Sequence, residues 1–228
     1  MSDQGEIPDR SADDFGLIET LLWTKANGFY CLDEHVARLR ASARALGFAH
    51  SDEMFLSALR EAIEDPLDDR LRVRFVLARD GRFETSALPF EETSSETVWR
   101  VAVAEARFSS GDPMLLHKTT RRDIYERELA EANLRCKADE VLFLNERDEV
   151  CEGARTNVFL VRDGGLLTPP LACGLLPGTL RAYLLAMGAV RESLLRREDF
   201  ADEEFLMGNS LRGLTRARLI AEDAASEE

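Results

Sequence analysis

The sequence predicts an α+β fold with a small N-terminal α/β domain and a larger, strand-rich C-terminal domain. In the first hundred residues, stretches of helical spacing are mixed with stretches of strand-like alternation, whereas short extended runs dominate after residue 140. Between these parts, residues 105–113 (EARFSSGDP) break the hydrophobic periodicity. We therefore expect domains over residues 15–104 and 117–221, a loop over residues 105–116 between them, and loose tails over residues 1–14 and 222–228.

The first domain begins with a predicted β-hairpin. Residues 17–23 have the pattern of a strand, Asn27-Gly28 is a hairpin turn signal, and residues 29–32 form the expected return. Residues 71–77 (LRVRFVL) alternate as a half-buried strand, which we expect to turn back into residues 82–86.

Helices are predicted in both domains. Asp33 can cap the start of a first helix, which Gly47 ends, and a second helix is expected from about Asp52 to Glu64. A further extended run over residues 98–104 closes the first domain. In the second domain the pattern predicts helices over residues 120–133 and 178–187, with short strands near residues 140–144, 150–151, 157–161, 166–167, 190–194 and 205–207.

Composition excludes several classes of protein. The formal net charge of −14 argues against nucleic acid or an anionic membrane as the main partner, so a bound phosphate must be held by local positive charge. The four cysteines have no zinc-type spacing, which favours reduced thiols in a cytoplasmic protein without a metal site. The N-terminus lacks the pattern of a secretory signal, and no apolar run is long enough to span a membrane.

A lysine stands in an unusual context at residues 115–122 (LLHKTTRR). Such a lysine is most simply a snorkelling or ion-paired surface group. A lysine that forms an imine or moves a proton needs a lowered pKa, which desolvation or neighbouring positive charge produces. The leucine pair before Lys118 can supply the desolvation, and the arginine pair after it can supply the positive charge. Lys118 is therefore a candidate catalytic residue.

Two later motifs complete a possible cofactor site. Residues 150–159 (VCEGARTNVF) place Glu152 at a Glu-Gly turn, where an ordinary turn residue is the alternative. Residues 175–181 (LLPGTLR) start a helix whose free N–H groups can bind a phosphate, although a plain helix start is equally simple. A lysine, a carboxylate and a phosphate-binding helix start are the parts that an aldehyde cofactor with a pyridine ring and a phosphate requires.

The three motifs, in this order and spacing, resemble the class IV, fold-type IV pyridoxal-phosphate enzymes. That family includes branched-chain and D-amino-acid aminotransferases and 4-amino-4-deoxychorismate lyase. The resemblance covers about Phe15 to Leu219. It implies that Lys118 bonds the cofactor pyridoxal 5'-phosphate, that Glu152 keeps its ring nitrogen protonated, and that Asn157 orders the surrounding loop.

The resemblance also implies how the phosphate is held. Residues 34–39 (EHVARL) are close to the family pattern E-H-x-x-R-L, in which Arg38 supplies the positive charge. Gly178 lets the backbone approach the phosphate, and Thr179 offers an N–H and a hydroxyl. In the loop at residues 208–213 (GNSLRG) we favour Ser210 over Asn209 as the last contact.

Substrate contacts are less defined. An arginine near Arg79 holds the substrate carboxylate in some family members, but a hairpin turn is the simpler interpretation of the sequence there. Arg155 lies in the loop expected to cover the cofactor ring, where it can bind a carboxylate or pair with Glu152 or Asp163. Tyr125 is as consistent with a core position as with a place in the site.

The resemblance implies an enzyme that acts on a small-molecule amine, and its finer features favour a lyase. The segments at residues 17–20, 117–122, 173–178 and 209–213 look most like lyase-type members, which convert 4-amino-4-deoxychorismate to 4-aminobenzoate and pyruvate in the folate pathway. The alternatives are a branched-chain or D-amino-acid aminotransferase and a cofactor-binding protein without catalysis. Family members are homodimers, so we expect a homodimer.

The sequence departs from the family pattern in several places. The strand that usually precedes Phe15 is expected to be missing, because only about fourteen polar residues stand before it. Ile18 stands where many transaminases have an aromatic residue, Arg121 where many members have asparagine, and Asp123 where branched-chain enzymes carry a tyrosine. These departures affect the choice of substrate more than the choice of cofactor.

Overall fold

The computed structural model describes residues 15–162, 164–200 and 204–220. The two predicted tails, residues 1–14 and 222–228, lie outside the described residues. Helices and strands are combined in two sheets, which confirms the predicted α+β fold. No helix within the described ranges is long and apolar enough to cross a membrane.

The smaller sheet is antiparallel and has the order β2-β1-β3-β4. Its strands are β1 (Leu17–Thr24), β2 (Gly28–Phe29), β3 (Arg70–Leu77) and β4 (Phe83–Pro89). Between β2 and β3 the chain forms helices α1 (Leu32–Leu46) and α2 (Asp52–Glu61). The expected return strand over residues 29–32 is wrong in its second half, because Cys31 adopts a left-handed conformation (φ 54°) and precedes α1 directly. Asp33 consequently lies inside the helix and does not cap it.

The two faces of the smaller sheet have different roles. Val73 and Phe75 of β3 are fully buried against Leu39 of α1 and Phe55 of α2, and the Phe55 and Phe75 rings meet edge to face at 4.8 Å. Burial of such a cluster of large apolar side chains is the main term that stabilises this part of the chain. The other face of β3 carries charged residues, and it adjoins the site described below.

The larger sheet has eight strands in the order β10-β9-β8-β11-β12-β5-β6-β7. Its strands are β5 (Val98–Phe108), β6 (Glu140–Asn145), β7 (Val150–Gly153), β8 (Asn157–Arg162), β9 (Gly165–Thr168), β10 (Val190–Glu192), β11 (Phe205–Asn209) and β12 (Gly213–Leu219). Two helices accompany it, α3 (Asp123–Cys136) and α4 (Thr179–Ala186). The parallel pairs β12–β5 and β5–β6 join strands far apart in sequence, so the order of this sheet depends on long-range packing.

Strand β5 corrects two expectations. It belongs to the larger sheet, and it continues through residues 105–108, which the sequence placed in a loop. The lost periodicity reflects a shift of the β5–β6 register between Val103 and Arg107. Within this irregular stretch, Glu128 of α3 accepts hydrogen bonds from the N–H groups of Glu105 (2.8 Å) and Ala106 (3.3 Å). The domain division itself stays a prediction.

Helix α3 begins three residues later than expected, at Asp123. Residues before it are held in extended conformation against the smaller sheet: Thr119 bridges Leu17, and the N–H of Thr120 donates to the carbonyl of Gly16 at 2.9 Å. This connection ties the segment containing Lys118 to the smaller sheet.

Candidate active site

Lys118 lies where the two sheets meet. Its carbonyl oxygen accepts a hydrogen bond from the N–H of Ile18 in β1 at 2.8 Å, which fixes the backbone of the lysine against the smaller sheet. The side chain is half-buried. Burial, together with the positive charges of Arg38 and Arg122, lowers the pKa of Lys118 to about 7, although Glu19 and Glu152 oppose the shift. The amine is thus neutral in a substantial fraction of molecules near pH 7.

Glu152 in β7 is a buried carboxylate with defined partners. Its side chain accepts hydrogen bonds from the hydroxyl of Tyr125 at 2.9 Å and from the N–H of Leu176 at 3.1 Å. Burial raises the pKa of Glu152 to about 7, although these two hydrogen bonds and the charges of Lys118 and Arg122 act in the opposite direction. Tyr125 therefore contacts Glu152 directly, and it also packs in the core against the rings of Phe108 and Phe143.

The loop after Glu152 is organised by a second buried carboxylate, Glu140. It accepts hydrogen bonds from the N–H groups of Ala154 (2.9 Å) and Arg155 (3.2 Å) and from the hydroxyl of Thr156 (3.2 Å). A carboxylate that satisfies several loop donors holds a tight turn in one conformation. Glu140 was not predicted from the sequence, where its signal is an acidic residue at the start of an otherwise apolar strand.

Asn157 connects this loop to the helix start at residues 176–179. Its side-chain amide donates to the carbonyl of Leu176 at 3.1 Å. A Cβ atom at Gly178 would lie 1.8 Å from Oδ1 of Asn157, so a larger residue here would displace the Asn157 side chain from its hydrogen bond to Leu176. Gly178 precedes the first residue of α4, and the expected helix start is present.

The residues predicted to hold a phosphate come together beside this helix start. The hydroxyl of Thr179 donates to Oγ of Ser210 at 2.9 Å, and both side chains are buried. Nη1 of Arg38 lies 3.4 Å from the carbonyl oxygen of Pro177. Free N–H groups at the start of α4, two hydroxyls and one guanidinium are a donor set that suits a phosphate dianion.

Two residues to which the sequence assigned no role, Glu19 and His35, support this group. Glu19 accepts hydrogen bonds from Nε of Arg38 at 2.9 Å and from Nη2 at 2.6 Å, and Nδ1 of His35 lies 2.6 Å from the same carboxylate. Nε2 of His35 lies 2.8 Å from Oγ of Ser210. Although burial favours the neutral acid, Arg38 and His35 lower the pKa of Glu19 to about 2. Burial lowers the pKa of His35.

A signal for Glu19 was present in the sequence. It alternates with Leu17 and Leu21 on the face of β1 that packs into the core, and it is only 1% exposed. An acidic residue at a core-facing strand position requires a buried partner. The partner is Arg38 on α1, which the sequence identified only for its place in the motif.

The two candidate substrate arginines are placed differently. Arg79 is exposed in the β3–β4 turn, where it donates to the carbonyl of Leu46 at 2.7 Å and packs over the rings of Phe15 and Phe48. Arg155 is exposed in the loop beside Glu152, and among the described residues it makes no ion pair. Asp163, its other expected partner, lies outside the described residues.

The assembled residues fit an aldehyde cofactor that carries a pyridine ring and a phosphate. They provide a partly neutral amine, a buried carboxylate tied to a tyrosine, and a group of hydrogen-bond donors around Thr179 and Ser210 that suits a phosphate. Within the described ranges, no cluster of three or more His, Cys, Asp or Glu side chains could hold a metal ion.

Known proteins with similar sequences and structures include both lyases and aminotransferases by name. A Schizosaccharomyces pombe protein provisionally named aminodeoxychorismate lyase is 30% identical, over 90% of this chain and 89% of its own length. A Thermotoga maritima protein provisionally named branched-chain-amino-acid aminotransferase is 26% identical, over 93% of this chain and 80% of its own length. A Mesorhizobium loti structure, provisionally described as an amino-acid aminotransferase, superimposes with a TM-score of 0.86 at 43% identity, covering 91% of this chain and all of its own.

The family is shown by a match along almost the whole chain. The family model described as amino-transferase class IV matches residues 16–220, a range that includes Lys118, Glu152 and the helix start at Gly178. The structural likeness confirms the fold-type IV architecture that the motifs implied. This chain therefore belongs to the class IV aminotransferase family of pyridoxal-phosphate-dependent enzymes.

Proposed function

We propose that this enzyme is a lyase that converts 4-amino-4-deoxychorismate to 4-aminobenzoate and pyruvate, a step of folate biosynthesis. The observation that carries the proposal is the likeness to the Schizosaccharomyces pombe protein, which is 30% identical and aligns along nearly the full length of both chains. The surroundings of Lys118 support it. Ile18, an aliphatic residue 2% exposed, is bonded through its N–H to the lysine, where many transaminases resembling this chain place an aromatic ring.

The proposed cofactor, pyridoxal 5'-phosphate, supplies an electron sink when it is bound. Arg38, Thr179, Ser210 and the backbone at Gly178 would bind its phosphate, since they form one group of donors. Asn157 holds the helix start in position for this contact.

Two residues would handle protons in the proposed reaction. Nζ of Lys118, with a pKa of about 7, can act as the nucleophile toward the aldehyde and, once released, can accept and return the proton of the amine-bearing carbon. Glu152, which faces the ring nitrogen in this proposal, can share a proton with it because the carboxylate is buried and has a pKa of about 7. Tyr125 orients Glu152 through its hydrogen bond.

The second candidate is an aminotransferase of branched-chain or D-amino acids. The 43% identity to the Mesorhizobium loti protein, described as an amino-acid aminotransferase, favours it. The same lysine and carboxylate serve either reaction, so the difference lies in the substrate pocket and not in the proton-transfer residues. A protein that binds the cofactor without catalysis is the remaining alternative, and the retained Lys118 and Glu152 argue against it.

A comparison of products decides among these functions. The pyridoxal-phosphate-loaded enzyme is incubated with 4-amino-4-deoxychorismate, and 4-aminobenzoate and pyruvate are followed by chromatography. In parallel, a panel of amino acids is incubated with 2-oxoglutarate or pyruvate, and glutamate or alanine is measured. We expect equal amounts of 4-aminobenzoate and pyruvate without any amino acceptor. Transamination with no 4-aminobenzoate would establish the second candidate, and no turnover in either assay would establish the third.

A further inference from the structure

A buried chain of hydrogen bonds runs from β1 to the start of α4 through the ring of His35. Nδ1 of His35 lies 2.6 Å from the carboxylate of Glu19, and Nε2 lies 2.8 Å from Oγ of Ser210. The hydroxyl oxygen of Thr179 follows, 2.9 Å from Oγ of Ser210 and 3.3 Å from Nε2 of the ring. All four residues are at most 4% exposed, so these polar groups satisfy one another and not water.

The direction of these hydrogen bonds follows from the charge at the Glu19 end. Arg38 pairs with Glu19 through two nitrogens and keeps it ionised, and an ionised carboxylate only accepts hydrogen bonds. Nδ1 of His35 must therefore carry a hydrogen. Burial lowers the pKa of His35, so the ring is neutral near pH 7 and its Nε2 is an acceptor. Ser210 consequently donates to Nε2, and Thr179 donates to Ser210.

This direction does not suit a phosphate at the start of α4. A phosphate dianion only accepts hydrogen bonds, whereas the hydrogens of both hydroxyls point along the chain toward Glu19. If Ser210 turned its hydrogen to a phosphate, Nε2 of His35 would become a buried acceptor without a donor, which is unfavourable. The two hydroxyls can both serve a phosphate only if Nε2 itself gains a hydrogen.

The charges around His35 favour a proton on the ring once a phosphate is bound. Three charged groups act on the imidazole: Glu19 from β1, Arg38 from the next turn of α1, and Lys118 from the segment before α3. The charges of Arg38 and Glu19 offset each other, so a dianion at the start of α4 adds negative charge beside the ring, inside a chain whose net charge is already −14. A nearby negative charge stabilises the imidazolium form of a histidine.

We propose that His35 takes up a proton from the solvent when the cofactor phosphate binds. The imidazolium then donates from Nδ1 to Glu19 and from Nε2 to Oγ of Ser210, which frees the hydrogens of Ser210 and Thr179 to turn toward the phosphate. His35 is a positioning residue, because it acts on the phosphate through the two hydroxyls. The inference rests on the proposed cofactor site, and it applies equally to the lyase and to the aminotransferase reaction.

Nitrogen NMR of the 228-residue chain with isotope-labelled histidines observes this proton directly. The chain has three histidines, so the variants His50→Gln and His117→Gln assign the other two signals and leave His35 in place. At about pH 7.5 we expect a neutral His35 ring with its hydrogen on Nδ1 before pyridoxal phosphate is added, and hydrogens on both ring nitrogens afterwards. A ring that stays neutral in the loaded protein, or one that is already charged without cofactor, would overturn the proposal.

Titration calorimetry counts the protons that are taken up. Pyridoxine 5'-phosphate is the probe, because it carries the same phosphate but has an alcohol in place of the aldehyde and so cannot condense with Lys118. Its binding heat is measured in buffers of different ionisation enthalpy. We expect the parent to take up close to one proton more than His35→Gln, and its affinity to fall more steeply between about pH 6.5 and 7.5, by up to about tenfold per pH unit, because binding consumes a proton.

His50→Gln is the matched control for the calorimetry, because His50 lies before α2, where it is hydrogen-bonded to Asp52. It should take up as many protons as the parent. Equal proton uptake in the parent and in a folded His35→Gln variant would overturn the proposal. If His35→Gln does not keep the melting temperature of the parent, the NMR measurement decides alone, since it leaves His35 unaltered.

The same experiments separate this inference from the proposed function. If pyridoxal phosphate gives no visible band, the proposed cofactor site fails and the inference fails with it. A visible band with a neutral His35 ring overturns the inference and leaves the cofactor site in place. A charged ring in a loaded protein that releases no 4-aminobenzoate from 4-amino-4-deoxychorismate supports the inference and refutes the lyase reaction.

Discussion

Arg38 and Glu19 form a two-point ion pair, with Nε and Nη2 of the arginine 2.9 Å and 2.6 Å from the two carboxylate oxygens. The pair crosses from α1 to β1 and is almost entirely buried. It follows that the guanidinium proposed to bind a phosphate is oriented by the protein before any ligand arrives. His35 links the same carboxylate to Ser210, because one ring nitrogen is hydrogen-bonded to Glu19 and the other to the serine hydroxyl.

Substitution of Glu19 by glutamine should therefore destabilise the protein. Removing one partner of a buried ion pair leaves the other charge uncompensated, and we expect the free energy of unfolding to fall by about 3–5 kcal/mol. Urea denaturation without cofactor measures this change, and Glu96→Gln, at an exposed position, is the control. Added inorganic phosphate should restore part of the loss by pairing with Arg38. An unfolding midpoint equal to that of the parent would show that the ion pair contributes nothing to the stability of the folded protein.

The lowered pKa of Lys118 predicts where the cofactor attaches. Purified protein supplied with pyridoxal phosphate should be yellow, and borohydride should bleach its visible band, because a neutral amine condenses with an aldehyde. Peptide mapping of the reduced protein should locate the adduct on Lys118. Lys118→Ala serves as the control and should give no reducible band; an adduct on another lysine would refute the assignment.

Glu152→Gln should change the pH dependence of stability. The pKa of Glu152 is about 7 in the folded protein and 4.5 in an ordinary environment, so the folded state binds more protons between these values and the parent loses stability as pH rises from 4.5 to 7. Glutamine does not titrate and should remove this part of the loss. The difference between the urea unfolding midpoints at about pH 5 and pH 8 measures this loss of stability. A slope in Glu152→Gln equal to that of the parent would contradict the shifted pKa.

The phosphate assignment predicts a loss of cofactor affinity, which in Arg38→Ala comes in addition to the destabilisation expected when the buried Glu19 loses its partner. Arg38→Ala and Thr179→Ala should each weaken pyridoxal phosphate binding by about 1–3 kcal/mol, the value of a lost charged or hydroxyl hydrogen bond. Fluorescence titration measures the affinity. Arg40→Ala, two residues along the same helix and exposed, should have no effect. Normal affinity in Arg38→Ala would mean that Arg38 does not bind the phosphate and only forms the ion pair with Glu19.

Assembly as a homodimer is the last expectation. The family resemblance implies two subunits whose sites lie near the interface. Size-exclusion chromatography with light scattering should give about twice the chain mass of 25.6 kDa. A monomer with full activity would rule out a role for the dimer in the site.

The sequence determined the parts of the fold that depend on local pattern. Alternation located β1 and β3, helical spacing located α1 and α3, and the motifs at Lys118, Glu152 and Gly178 indicated the family that the comparisons confirm. These signals lie within short windows, because strand alternation, helix periodicity and turn residues act between near neighbours. The same windows contain no information on which strands become neighbours, so the pairing of β5 with β6 and β12 was not predicted.

Only the tertiary structure decided which side chains meet. Glu19 and Ser210 are 191 positions apart in sequence and are joined through His35, and Tyr125 reaches Glu152 across 27 positions. The role of a polar side chain in a site depends on its partners and on how far it is removed from water, and both are set by the packing of distant segments. For this reason the sequence could identify Lys118 and Arg38 by motif, whereas the lowered pKa of the lysine and the ion pair of the arginine follow from the assembled structure.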